Sequence, residues 1–185
     1  MLTVTIPEVK ELWDSKKEEF VSFKGQTISL EHSLVAISKW ESKWQKPFLT
    51  KNKKTSEELR DYIRCMTITQ NVDPLCYVCL TKDNMDAIAD YIESPMTATT
   101  FSDQKKSKNK QIITSELIYY WMIEAGIPFE CQKWHINRLL TLIQICGVER
   151  ERLNPNNKNK VSKDKLATDY AALNAARKKA LNTKG

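Results

Sequence analysis

Apolar residues recur at helical spacing along most of this chain and alternate with polar ones only near its start. Residues 2–6 (LTVTI) alternate among β-forming residues and stop at Pro7. Residues 19–23 and 26–30 read as two further short strands, and Lys24-Gly25 between them predicts a two-residue hairpin turn with glycine at the φ > 0 position. Three such strands make a small antiparallel sheet spanning residues 2–30, which needs a helical layer to cover it.

The period then changes to 3.6. Ser29 or Glu31 opens a helix to about Gln45, with Leu34, Ile37, Trp40 and Trp44 along one stripe that also includes Glu41, and Pro47 closes it. Residues 50–54 (TKNKK) read as a basic, polar loop. Thr55 and Glu58 form a capping box ahead of a helix carrying Leu59, Tyr62, Ile63 and Met66. Residues 71–74 break the pattern, and residues 75–80 hold one or two helical turns. Thr81 caps a helix with Met85, Ile88, Ala89 and Ile92 that Ser94-Pro95 ends. Residues 102–110 (SDQKKSKNK) read as a charged loop.

The most apolar long segment, residues 112–146, predicts a pair of helices around which the domain is organised. Thr114 caps the first, with Ile113, Leu117, Tyr120, Trp121 and Ile123 as its apolar members. Residues 125–128 (AGIP) break the run. In the second, Trp134, Leu139, Leu142 or Ile143, and Cys146 track one face beside Ile136 and Leu140, and Gly147 ends it. Residues 147–163 hold almost nothing to bury and read as a linker. Residues 164–185 regain helical character through Leu166, Tyr170, Leu173 and Leu181, with a basic run at Arg177, Lys178 and Lys179. The expected fold is mainly α: a helical domain over residues 1–146 with a small N-terminal antiparallel β-hairpin sheet, then a linker and a C-terminal basic helix.

Charge sharpens this division. The net charge of +6 belongs wholly to the end of the chain. Residues 1–146 carry 19 Lys and Arg against 19 Asp and Glu, whereas residues 147–185 carry 10 against 4. The body therefore has no bias toward nucleic acid. With 4 glycines among 185 residues, long Gly-rich phosphate loops are excluded, and no apolar run reaches the length of a membrane helix. The N-terminus lacks the basic and apolar regions of a signal peptide, so the chain is expected to stay in the cytosol, with its five cysteines reduced.

Candidate chemistry is sparse. Cys76-x-x-Cys79, completed in space by Cys131 and His135, has the residue types for zinc, but the Gly and Lys knuckles usual at such sites are missing, and the apolar neighbours favour core packing. The two histidines, His32 and His135, have no adjacent nucleophile in a strained turn and read as structural. No P-loop, GxGxxG, HExxH or GxSxG occurs. No catalytic, cofactor-binding or metal-binding residue is assigned. The residues best placed to bind a partner are Trp40 and Trp44, interleaved with Lys39 and Lys43, and Tyr170, Leu173, Arg177, Lys178 and Lys179 of the basic segment, although the tryptophan spacing also suits core packing.

Several phrases together resemble a family of small tailed-phage and prophage proteins. They are residues 29–35 (SLEHSLV), 38–41 (SKWE), 46–49 (KPFL), 61–66 (DYIRCM), 95–99 (PMTAT) and 134–140 (WHINRLL). Residues 172–177 (ALNAAR) and 181–185 (LNTKG) are similar to the closing segment of some tail assembly chaperones of siphophage type. That resemblance implies a non-enzymatic helical protein of the host cytoplasm that coats the phage tape-measure protein, recruits tail-tube subunits and uses no cofactor. A homo-oligomer is compatible with that role. Two rival readings are a virion component of the head–tail connector or tail, and a DNA-binding packaging or regulatory protein that uses the basic tail.

Overall fold

A computed structural model describes residues 1–14, 18–50, 53–99, 101 and 112–153. The chain divides into two compact units, Met1–Ile145 and Cys146–Gly185, and the second is described over residues 146–153 alone. The fold is mainly helical with an antiparallel β layer at its N-terminus.

Four strands form that layer, one more than expected: β1 (Leu2–Ile6), β2 (Val9–Asp14), β3 (Glu19–Phe23) and β4 (Gln26–Leu30). β1 pairs with β4 from Leu2↔Leu30 to Ile6↔Gln26, and β2 pairs with β3 from Val9↔Phe23 to Asp14↔Glu19. The two ladders start in the same register, so together they are one long hairpin interrupted at residues 7–8 and 24–25. Lys24-Gly25 is therefore not the turn of a β3–β4 hairpin. Gly25 has φ +75°, and a Cβ there would lie 3.0 Å from both Ile6 O and Glu8 N. Glycine lets the two kinked strands pass at backbone contact opposite Pro7.

The inner half of this ribbon is buried, and among the described residues the outer half is buried only at Phe23, where β3 meets it. Val4 and Ile6 of β1 and Ile28 and Leu30 of β4 alternate into the core. In the outer half, Trp13 and Phe20 are cross-strand partners, stacked edge-to-face at 5.1 Å and open to solvent.

Helix α1 (Leu34–Trp44) starts later than expected, because β4 runs through Ser29 to Leu30 and Ser33 is the cap, accepting the Ala36 N–H at 3.3 Å. Its stripe of Leu34, Ile37, Trp40 and Glu41 is buried. Gln45 closes it in the left-handed region. Helix α2 (Ser56–Met66) has the capping box expected at Thr55 and Glu58 and packs on α1. A 3-10 turn (Pro74–Tyr77) leads to α3 (Lys82–Glu93), whose Thr81 cap and end before Ser94-Pro95 are as expected, and which lies against β1.

The core lies where β4, α1 and α2 meet rather than in the 112–146 segment. Helix α4 (Ser115–Ala125) is capped by Thr114 and closed by Gly126 at φ 68°, but it buries Ser115, Ile118 and Met122. The expected members Tyr120 and Ile123 face solvent at 57% and 63% exposure. Glu116 and Glu124 share the exposed face with Tyr120 and Ile123, so the two acids mark the solvent side, which the apolar spacing alone does not. A second 3-10 turn (Phe129–Lys133) separates α4 from α5 (Ile136–Leu153), which leaves Trp134 outside the helix. Ile136 and Leu139 are the buried residues of α5.

Gly147 does not end α5, which continues to Leu153. The residues after the glycine are charged helix formers, with Arg152 paired to Glu149 at 3.2 Å, and a helix absorbs one interior glycine at a cost of about 1 kcal/mol. The expected linker thus begins inside a helix. Its remainder at 154–163, the basic helix at 164–185 and the charged loop at 102–110 lie outside the described residues. No helix among the described residues is long and apolar enough to cross a membrane.

Candidate functional site

The short segment 29–33 joins the helical layers. Beyond β4, Ile68 donates its N–H to Ser29 O at 2.8 Å, and Glu31 donates to Met66 O at 2.9 Å. On the other side Ile136 donates to His32 O at 2.7 Å, and Ser33 bridges His135. This pairing carries both histidines into the interior, where their rings meet edge-to-face at 5.0 Å. His32 Nδ1 and the Tyr62 hydroxyl lie 2.5 Å apart. The Asn137 N–H points at His135 Nδ1 at 3.3 Å, so His135 Nε2 carries the proton and donates to Tyr91 O at 3.0 Å. Burial, then the neighbouring His135, lowers the His32 pKa to about 3, and burial also lowers that of His135. Both rings are neutral, hydrogen-bonded and closed to solvent, an arrangement suited to holding segments together.

Cys76 belongs to the 3-10 turn after α2 and Cys79 lies two residues past its end, while Cys131 belongs to the turn before α5 and His135 to the interior pair. Among the described residues no three His, Cys, Asp or Glu side chains converge on one point. Burial pushes the Cys76 thiol up to about 11 and raises Cys79 as well, opposite to what a thiolate ligand or nucleophile needs.

A second buried polar group is Glu41. Its Oε1 accepts the Phe48 N–H and its Oε2 the Ser115 N–H, each at 2.7 Å. One carboxylate thereby fixes the chain after α1 and the N-terminus of α4, where a helix offers unpaired N–H donors. A glutamate inside an otherwise apolar stripe is the sequence signal that could have identified this role.

Trp40 is 1% exposed and donates its indole N–H to Glu58 O at 2.9 Å. It is a core side chain, so it is not presented to a partner as the partner-binding expectation required. Trp44 is half-buried, donates to Asp61 Oδ2 at 2.8 Å, and has the Lys43 and Lys46 ammonium groups 5.3 and 5.9 Å from its ring centre. Asp61 also receives Lys43 and Arg64 on Oδ1. Burial pushes its carboxyl up, but hydrogen bonds from Lys43, Arg64 and Trp44 outweigh this and hold it below the ordinary range. Tyr170, Leu173, Arg177, Lys178 and Lys179 lie outside the described residues.

Two surfaces remain that could meet a partner. On α4, Tyr120 and Ile123 are one turn apart and exposed, and Tyr119 continues the row to Phe129, whose ring centre is 6.4 Å away and which is 53% exposed. The other is a basic pocket of about 190 Å³ beside the C-terminal end of α1. Comparison with protein-family models, with curated proteins and with solved structures yields no match, so the chain's own geometry carries the functional argument.

Proposed function

We propose that this chain is a non-enzymatic tail assembly chaperone of a tailed phage, acting in the host cytoplasm. In this reading the outer face of α4 grips an amphipathic helix of the tape-measure protein. The single observation that carries the reading is the exposure of Tyr120 and Ile123 on α4 and of Phe129 in the turn that follows it. Three large apolar side chains held outward by one helix and the turn after it match the spacing at which an amphipathic client helix presents its own apolar face. The resemblance of residues 29–35, 61–66 and 134–140 to small tailed-phage proteins supplies the identity of the client. The basic segment at residues 164–185, which the sequence alone reads as a helix, would serve as a second arm that recruits tail-tube subunits and raises their local concentration.

Co-expression with fragments of the tape-measure protein of the same phage tests this. The full chain should retain the fragments on affinity capture. The double substitution Tyr120→Glu with Ile123→Glu should abolish capture without lowering the melting temperature, because neither side chain is buried. Unchanged capture by that variant would overturn the assignment of the surface. Mass spectrometry of purified particles separates the roles: the chaperone reading expects the protein to be absent from mature virions, and a connector would appear in ring stoichiometry.

A further inference from the structure

The basic pocket lies on the side of α1 that faces α2. Lys46, Lys53 and Lys54 surround it, with Pro47 and Thr50 on one wall and Glu58 at its base beside the edge of Trp40. Lys46 is committed to Glu58, with Nζ 2.6 Å from Oε1. The other carboxylate oxygen of Glu58 accepts the Thr55 N–H at 2.7 Å, and its charge also attracts Lys54. Among the described residues, Lys53 and Lys54 enter no ion pair. Lys54 instead lies 4.5 Å from the Phe48 ring centre, and burial lowers its pKa. Three lysines against one glutamate leave the pocket with a surplus of positive charge that an incoming anion would offset.

We propose that this pocket is a docking subsite for a carboxylate-rich segment of a partner polypeptide, with Lys53 and Lys54 as its cationic contacts. Two features select a carboxylate over nucleic acid. Base stacking needs an open aromatic face, whereas Trp40 is closed and Trp44 already carries two ammonium groups. Residues 1–146, with 19 Lys and Arg against 19 Asp and Glu, also lack the broad positive field that holds a nucleic-acid backbone. The pocket is separate from the α4 face, so the subsite and the client-binding reading stand or fall independently.

Fluorescence anisotropy on the full chain tests the proposal. The probe is a labelled helical peptide with glutamates four residues apart, alongside its all-glutamine counterpart and an oligo(dT) of similar length. The glutamate peptide should bind at low ionic strength and the glutamine peptide should not. The double substitution Lys53→Ala with Lys54→Ala should weaken binding about tenfold, as two modest charge pairs would, and Lys53→Arg with Lys54→Arg should largely restore it. Peptide affinity unchanged by the alanine pair would overturn the proposal and direct attention to residues 147–185. So would an oligonucleotide that depends on Lys53 and Lys54 where the peptide does not.

Discussion

At the scale of single residues, the interior depends on a few polar groups with complete sets of partners. His32 with Tyr62, His135 with Tyr91 and Asn137, and Glu41 with Phe48 and Ser115 each join segments distant in sequence. Such groups stabilise only while every donor and acceptor is matched. The histidines carry a consequence for pH. Both have folded-state pKa values below the ordinary 6.5, so the unfolded chain binds more protons between about 6.5 and 3 at His32, and His135 acts in the same direction. Their contribution is fully present above pH 6.5 and is lost as the pH falls through that window. Urea unfolding between pH 7 and 5, where most carboxylates stay ionised, should show stability dropping by up to about 1.4 kcal/mol per pH unit from His32, with His135 adding in the same direction. In the His32→Gln protein the slope should be visibly shallower, and an unchanged slope would contradict the assignment.

Secondary-structure elements show where local signals suffice. Thr55, Thr81 and Thr114 cap helices as their sequence contexts predict, since a cap is a contact between residues three apart. Among the glycines, Gly126 closes its helix as its context predicts, whereas Gly25 and Gly147 do not follow theirs. Gly126 closes α4 with open space around it, Gly25 allows two strands to touch, and Gly147 rides within α5. These three environments predict different substitution costs. Gly126→Ala should cost about 1 kcal/mol, from its left-handed backbone alone. Gly25→Ala should cost at least ~2 kcal/mol, because a positive φ is joined by backbone contacts at 3.0 Å that cannot relax cheaply. Chemical denaturation of the two variants checks the order, and equal costs would mean that the kink at Pro7 yields. The hairpin itself was misread because Lys24-Gly25 resembles a turn locally. Only the shared register of the two ladders shows that the turn lies further out, between β2 and β3.

For the whole molecule, the decisive feature is the seam at residues 29–33, which touches the end of α2 on one side and the start of α5 on the other. The largest fully buried side chains, including Trp40, Tyr62, Phe23 and Ile28, gather around it. Each such burial contributes on the order of 2–3 kcal/mol. Hydrogen exchange should follow this layout. Amides of β4, the middle of α1 and the inner turns of α2 should exchange slowest, near the global unfolding limit. The outer ribbon around Trp13 and Phe20 should exchange early, because neither face of it is covered. Protection of β2 and β3 equal to that of α1 would show that something covers the ribbon.

The sequence by itself determined the mainly helical class, an antiparallel strand layer at the start, the threonine caps and the electrically balanced body. All of these follow from spacing, local hydrogen bonding or charge counts. It also marked Trp40 and Glu41 as members of one helical stripe. Apolar spacing alone could not say which side of α4 is buried, because Tyr120 and Ile123 sit on the outer face that only Glu116 and Glu124 mark. Nor could it show that the two histidines meet, that Trp40 closes into the core, or that Lys53 and Lys54 flank a pocket. Those outcomes depend on which surfaces pack against each other across tens of residues, and only the tertiary structure chooses among surfaces that are equally apolar or equally charged.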